Sequence, residues 1–448
     1  MPDRREISAA AIVAGALAFV ILDVLAFYVA LYRPWLDPFS TTGAFESAIA
    51  RLSELRSDPR SDVLVLGDSR IYSGLDPRIA SAASGGRLRF LDGSVPGTTP
   101  RCWFFYARVV DPKTDRFRAI VIPVDTYRDD DSAIGSRDGD RRAMDLHYIA
   151  LRARPSDIPK LASSFGDWRA RLNVGTDLIL RGPELRDDVQ AFAADPAARF
   201  RAIERAAAAD AYDPLAAHPR IGSLSGLHGD FATERMTFPR GIAQSERGEI
   251  RAEVLQVARP SPDYAQYRRR WLGPIVDRYL AAGVPVIFVR LPTRPAHRSA
   301  GDGASGSLLE FARAGARLIA QSPYLALERP ELFADHDHLN EPGSRAFSMQ
   351  LGRDVARALD EPSSASLPPN PGKREPPSPR APGNAAPETG HPFSIGVPLP
   401  FQSYEFWIFF TLTMLLFRAT AGRLRWALLL AARAGLIYSA RVASSVSP

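Results

Sequence analysis

Residues Asp62 to Arg70 read DVLVLGDSR and set the architecture of the chain. Val63, Leu64, Val65 and Leu66 form a short apolar run that closes on Gly67 and passes into polar residues. A run without polar alternation is apolar on both faces, the pattern of a buried parallel strand leading into a helix. The pattern returns in LRFLDGS from Leu88, RAIVIPVD from Arg118 and VPVIFVRLP from Val284. Helical stretches lie between them, among them CWFFYARVV from Cys102 and YAQYRRRWLGPIVDRYLAAG from Tyr264, the latter ending in the glycine expected just past a helix. Strand and helix alternation of this kind predicts an α/β protein with a doubly wound parallel sheet and ligands at the carboxyl ends of its strands. The third and fourth strands stand too far apart for a single crossover helix. Residues 141–263 are therefore expected to form a helical and irregular insertion that shapes or caps a site.

Outside this body, residues 33–360, the sequence changes character. After a short N-terminal flank, 1–6, the segment Ile7 to Tyr32 is an almost unbroken apolar run interrupted by Asp23. At about 1.5 Å per residue it is long enough to cross a hydrocarbon core as a helix, and it reads as an uncleaved signal anchor. Arg4 and Arg5 place the N-terminus in the cytoplasm and the body outside it. Asp23 inside the span either pairs with a partner helix or is neutralised. Residues 361–400 are crowded with Pro, Ser, Gly and Ala and form a tether. Residues 401–417, FQSYEFWIFFTLTMLLF, are a second apolar span, and Arg418, Arg423 and Arg425 behind it return the chain to the cytoplasm. The tail 418–448 is basic, with a short apolar stretch at 426–440 that is cytoplasmic or interfacial. The expected address is the cytoplasmic membrane, with the lipid bilayer as a partner and the body periplasmic or otherwise extracytoplasmic.

Composition narrows the function. The chain has 448 residues, 56 basic against 50 acidic, and only Lys113, Lys160 and Lys373 are lysine. The charges are interspersed, with no basic stripe of the kind that tracks a phosphate backbone, so nucleic acid is not an expected partner. Cys102 is the single cysteine. It excludes an intramolecular disulfide framework and any multi-cysteine metal site, and it reads as a small core residue.

Two short motifs carry chemistry. Gly67-Asp68-Ser69-Arg70 sets a serine hydroxyl at the carboxyl end of the first strand, where it is either a helix cap or a nucleophile near helix-terminal amides. Near the end of the body, Asp335-His336-Asp337-His338-Leu339-Asn340 precedes a helical pattern. An aspartate three residues before a histidine can orient the imidazole through one ring nitrogen and leave the other to deprotonate a serine. His336 and His338 with a carboxylate are the alternative, a metal site, although no second paired-ligand motif accompanies them.

Together the two motifs resemble the SGNH, or GDSL-type, hydrolase superfamily, which has a flavodoxin-like fold and a Ser, Asp, His triad. The resemblance covers the body from about Asp62 to Leu359 and implies Ser69 as nucleophile, His338 as base and Asp335 as the residue that orients it. It implies no metal and no cofactor. The family's second block supplies a backbone amide to the oxyanion hole, and LDGSVPGTTP offers Gly93, Ser94 and Gly97 in that place. The third block supplies an asparagine side chain, but this strand end reads IPVDTYRDD, with Asp125 where a donor is wanted. An ionised carboxylate there would oppose a developing oxyanion, whereas a protonated one would donate to it.

Membrane-anchored proteins with GDSR resemble those of alginate and other polysaccharide O-acetylation systems. PLPFQSYEFWIFF with RLRWALLLAARAGLIYSA resembles the first segments of a membrane-bound O-acyltransferase, without its multi-span core. Two functions follow as expectations. One is a serine-dependent O-acyltransferase or esterase acting on acyl groups of an envelope or exported glycan. The other is an accessory subunit of the same fold that binds glycan or docks a membrane-bound O-acyltransferase.

Overall fold

Successive side chains of a strand point to opposite faces, and here both faces are apolar. The computed structural model describes residues 18–129, 138–165, 168–182, 184–255, 262–296 and 303–361. Its strands are β1 (Asp62–Gly67), β2 (Arg89–Ser94), β3 (Ala119–Val124), β4 (His228–Asp230), β5 (Arg235–Thr237), β6 (Val286–Arg290) and β7 (Arg317–Leu318). Five of them form one sheet in the order β2-β1-β3-β6-β7, with every neighbouring pair parallel. β4 and β5 make a separate antiparallel hairpin. This order is compatible with a flavodoxin-like sheet, whose strand order reverses between β1 and β3.

All residues of β1, β3 and β6 are buried. Leu64, Leu66, Ile120, Ile122 and Phe288 pack on one face with Phe45, Phe105 and Ile275, from the helices Thr41–Glu54, Pro100–Val110 and Gly273–Ala281. Val63, Val65, Val121, Ile287 and Val289 pack on the other with Ile71, Ala80, Phe347 and Leu351, from Ser69–Gly74, Pro77–Ala83 and Glu341–Asp360. At roughly 1.5–3 kcal/mol for each aliphatic side chain buried, these two layers drive the sheet's assembly. The last helix approaches Pro77–Ala83 so closely that a Cβ at Gly352 would stand 2.1 Å from the Ala80 carbonyl oxygen. Cys102 lies fully buried in the first layer, and burial pushes its thiol well up, as suits an unreactive core residue.

Between β3 and β6 the described chain is mostly helical, running from Asp138–Ile149 to Gly273–Ala281 with the β4–β5 hairpin among the helices. The helix expected from Tyr264 to Gly283 is two, Pro262–Trp271 and Gly273–Ala281. Pro274 cannot continue a helix through its own position, because it lacks an amide donor and its ring meets the preceding turn.

The chain divides into two compact units, Met1–Ala26 with Ala365–Pro448, and Phe27–Ser364. In the first, residues 18–26 are described and are helical. In the second, the apolar segment expected to span to Tyr32 departs from that expectation. Helical structure ends at Tyr28, Ala30 takes a positive φ of 59°, and the Tyr32 ring is buried with its hydroxyl donating to Asp188 at 2.7 Å. Tyrosines that find hydrogen-bond partners belong to the folded body, and hydropathy alone does not separate them from a lipid-facing run. Among the described residues no helix is long and apolar enough to cross a membrane. Residues 7–17 of the first expected span, the tether, the second span at 401–417 and the tail lie outside the described residues.

Candidate active site

β1 delivers Gly67 to the sheet's carboxyl edge, and the chain turns at once into the helix Ser69–Gly74. Asp68 is its N-cap, accepting from the Arg70 amide at 2.9 Å, so Ser69 is the first helical residue. The side chain of Ser69 thus stands beside the point where strand order reverses, the usual place for a ligand in an open parallel sheet.

His338 arrives from the other end of the body. Phe333 and Leu339 form an antiparallel bridge, and the Ala334 amide donates to the His338 carbonyl at 2.9 Å, which closes the loop between them. Asp335 Oδ1 accepts from the backbone amides of His338 at 2.9 Å and Asp337 at 3.2 Å. The same oxygen lies 2.8 Å from His338 Nδ1, and on the far side of the ring Nε2 lies 2.8 Å from Ser69 Oγ. With Nδ1–H donating to Asp335, Nε2 is free to accept the serine proton, although the two side chains are 269 positions apart in sequence.

Further groups surround this chain of contacts. Asp337 Oδ1 lies 2.6 Å from Nδ1 but outside hydrogen-bonding geometry, so Asp335 is the in-line partner. Burial raises the Asp337 carboxyl, yet the adjoining His338 and the charges of His336 and Arg70 more than offset this and hold it well below the usual carboxylate range. Arg220, supplied by the insertion, ion-pairs with Asp335 and places Nη1 2.9 Å from His338 Nδ1. Asp335, His336 and Asp337 have potential ligand atoms within 4.8 Å of one another. Both ring nitrogens of His338 already face Ser69 and the carboxylates, so the metal set that would use His338 competes with the serine contact.

The residues expected at an oxyanion hole separate. Gly93 lies within β2 opposite Leu66, and its missing side chain makes room for Leu64 Cδ1, 2.6 Å from where a Cβ would stand. It serves sheet packing. The Ser94 amide donates to Asp92 Oδ1 at 2.8 Å, so it is already engaged and does not face an incoming carbonyl. Gly97 differs from both. The turn from Val95 to Thr98 is pinned on the Gly67 carbonyl by the Val95 amide at 3.1 Å and the Thr98 hydroxyl at 3.0 Å. Gly97 occupies that turn at φ 79°, which a side chain resists, and a Cβ would stand 2.3 Å from the Tyr148 hydroxyl. Gly97 thus stands in the turn held against the carbonyl of Gly67, two residues before the nucleophile.

Asp125 is not a bare carboxylate facing the reacting centre. Its Oδ1 accepts from Arg70 Nη1 at 2.6 Å, while Asp68 Oδ2 holds Arg70 Nη2 at 2.8 Å and both Asp68 oxygens lie 3.2 Å from Nε. The sequence displays Arg70 beside Ser69 but contains no local signal that Asp125, 55 positions on, closes a clamp around it. Arg220 had no signal either, because its partners lie 115 positions or more away.

No protein-family model and no curated protein matches the chain. The chemistry therefore rests on the arrangement itself: a hydroxyl, an imidazole and a carboxylate in line, at the end of a parallel sheet.

Proposed function

We propose that this protein is a membrane-anchored SGNH-type serine hydrolase or O-acyltransferase whose extracytoplasmic body acts on acyl groups, O-acetyl above all, of an envelope or exported polysaccharide. The observation that carries the reading is the 2.8 Å approach of Ser69 Oγ to His338 Nε2 with Asp335 behind the ring. In the first half-reaction Ser69 attacks the ester carbonyl, His338 takes the hydroxyl proton and then returns it to the leaving alkoxide. In the second, His338 deprotonates a sugar hydroxyl or water, which attacks the acyl-serine and frees Ser69. An acylated glycan or other acyl donor is the substrate, and the bilayer holds the body near it.

A second reading is an accessory subunit of the same fold that binds glycan or docks a membrane-bound O-acyltransferase. It is favoured by one observation, the engagement of the Ser94 amide by Asp92, which thins the backbone donors of the hole. A fluorophosphonate probe decides between them. The enzyme reading expects the full-length protein in detergent to be labelled on Ser69, with labelling abolished in Ser69→Ala and His338→Ala at unchanged thermal midpoint. Absence of labelling in the wild type, together with full glycan acylation in cells carrying Ser69→Ala, establishes the accessory reading.

A further inference from the structure

The fixed guanidinium beside the nucleophile has no role in the triad, and its surroundings are built to hold it still. Arg70 is gripped from two strand ends at once: Asp68 from the end of β1 takes Nε and Nη2, and Asp125 from the end of β3 takes Nη1. An arginine side chain left to itself samples many rotamers, and two carboxylates on adjacent strands of a buried sheet remove that freedom. A guanidinium has five N–H groups, and these contacts engage three of them, one on each nitrogen. Among the described residues, one N–H on Nη1 and one on Nη2 are left over. The side chain is 19% exposed, so the group is sheltered from bulk water without being sealed from a substrate. It directly follows Ser69 in the first turn of the helix, and Asp125, which holds it, follows β3, the strand paired beside β1.

Acyl transfer at Ser69 creates a negative oxygen, and the Ser94 amide expected to meet it is engaged by Asp92. We propose that Arg70 is a catalytic residue of this site, supplying a cationic N–H to the oxyanion, and that Asp68 and Asp125 are the positioning residues that aim it. The inference rests on the acyl-transfer reading above. As Ser69 Oγ bonds to the acyl carbon, its proton passes to His338 Nε2 and the carbonyl π pair moves onto oxygen, where the Arg70 N–H meets it. As the pair returns, the ester C–O bond breaks and the leaving alkoxide takes the proton from Nε2. Asp125 then has a role opposite in sign to that of a carboxylate aimed at the oxyanion. Replacing it with an amide would not improve the hole but would loosen the group that completes it.

The test uses the full-length protein in detergent, with p-nitrophenyl acetate turnover and fluorophosphonate labelling measured together. Arg70→Gln is expected to lower kcat by about 100-fold with KM within about threefold, the size of effect seen when one oxyanion donor is removed. Asp125→Asn is expected to lower kcat by about tenfold, and adding it to Arg70→Gln is expected to cost nothing more, because its effect passes through the guanidinium. Arg70→Ala is expected to regain turnover with added guanidinium ion, a response that a merely structural role would not give. Arg70→Lys, which keeps the charge but loses the two-sided grip, decides the matter if the glutamine variant does not fold, with an expected loss of about tenfold. Unchanged or raised kcat in Asp125→Asn, or kcat within threefold of wild type in Arg70→Gln, overturns the role of Arg70 while Ser69 labelling leaves the enzyme reading standing. A wild type that neither labels nor turns over overturns both.

Discussion

Replacing Asn340 tests whether the loop bearing His338 is held by one buried amide. Asn340 is 2% exposed, and both ends of its side chain are engaged. Oδ1 accepts from the Gly343 amide at 3.0 Å and caps the helix Glu341–Asp360. Nδ2 lies 2.8 Å from the Glu331 carbonyl, 3.1 Å from that of Gly222 and 3.4 Å from that of Phe333. It therefore ties together the segment before the histidine loop, Glu331 to Phe333, and the insertion segment that carries Arg220. Asn340→Ala loses a helix cap, at about 1 kcal/mol. It also loses the hydrogen bonds to the Glu331 and Gly222 carbonyls, at about 1 kcal/mol each, whereas Phe333 keeps the Leu224 amide at 3.0 Å. A total of about 3 kcal/mol should lower the thermal midpoint by roughly 4 °C for a body of this size. Circular dichroism on the full-length protein in detergent measures it. Asn340→Asp keeps the capping oxygen but turns a second oxygen toward the same carbonyls, so at neutral pH it should be no more stable than the alanine variant. A midpoint within about 1 °C of wild type for Asn340→Ala, or wild-type stability for Asn340→Asp, would refute this account of the loop.

Other outcomes follow from particular contacts. Burial pushes the Asp92 carboxyl up to about 6, against an unfolded value near 4, so the folded protein keeps its proton over a range where the unfolded chain has released it. The associated stability is present below about pH 4 and is lost as pH rises to about 6; Asp92→Asn, which keeps the acceptor for the Ser94 amide, should therefore gain on the order of 2 kcal/mol over wild type at pH 8 and little at pH 4 in urea titrations, and a pH-independent difference would contradict it. Gly97→Ala should lower stability by about 1–2 kcal/mol and slow Ser69 labelling, and Tyr148→Phe in the same chain should recover part of both by removing the oxygen that the new Cβ meets; no recovery would place the strain in the backbone alone. Reporter fusions after Leu359 should read as extracytoplasmic and fusions after Arg425 as cytoplasmic, since arginines flank both expected spans on that side; the reverse pattern would reveal another crossing.

Local patterns in the chain suffice to mark the segments that enter the sheet. DVLVLG, AIVIPV and VIFVR are short, apolar on both faces and rich in β-branched residues, RFLDGS shares the Gly-containing end of the first, and hydrophobic burial acts on such runs wherever they stand in the chain. The sequence also displays Ser69, Asp335 and His338, because a small polar residue at a strand end and a histidine three positions after an aspartate are local patterns. β7, of two residues, and the β4–β5 hairpin are too short for periodicity to register. The apolar spacing persists across Gly273-Pro274 and so predicts one helix where the chain forms two. Partnership is settled only in the folded chain. Whether His338 meets Ser69, and whether Asp125 faces a substrate or an arginine, depend on side chains brought together across 269 and 55 positions, and even the local choices, Asp335 behind the imidazole and Asp92 on the Ser94 amide, turn on angles that the folded backbone sets. Hydrogen bonds and ion pairs act over about 3 Å and within narrow angles, and no periodicity in a linear sequence encodes distances of that kind between residues so far apart.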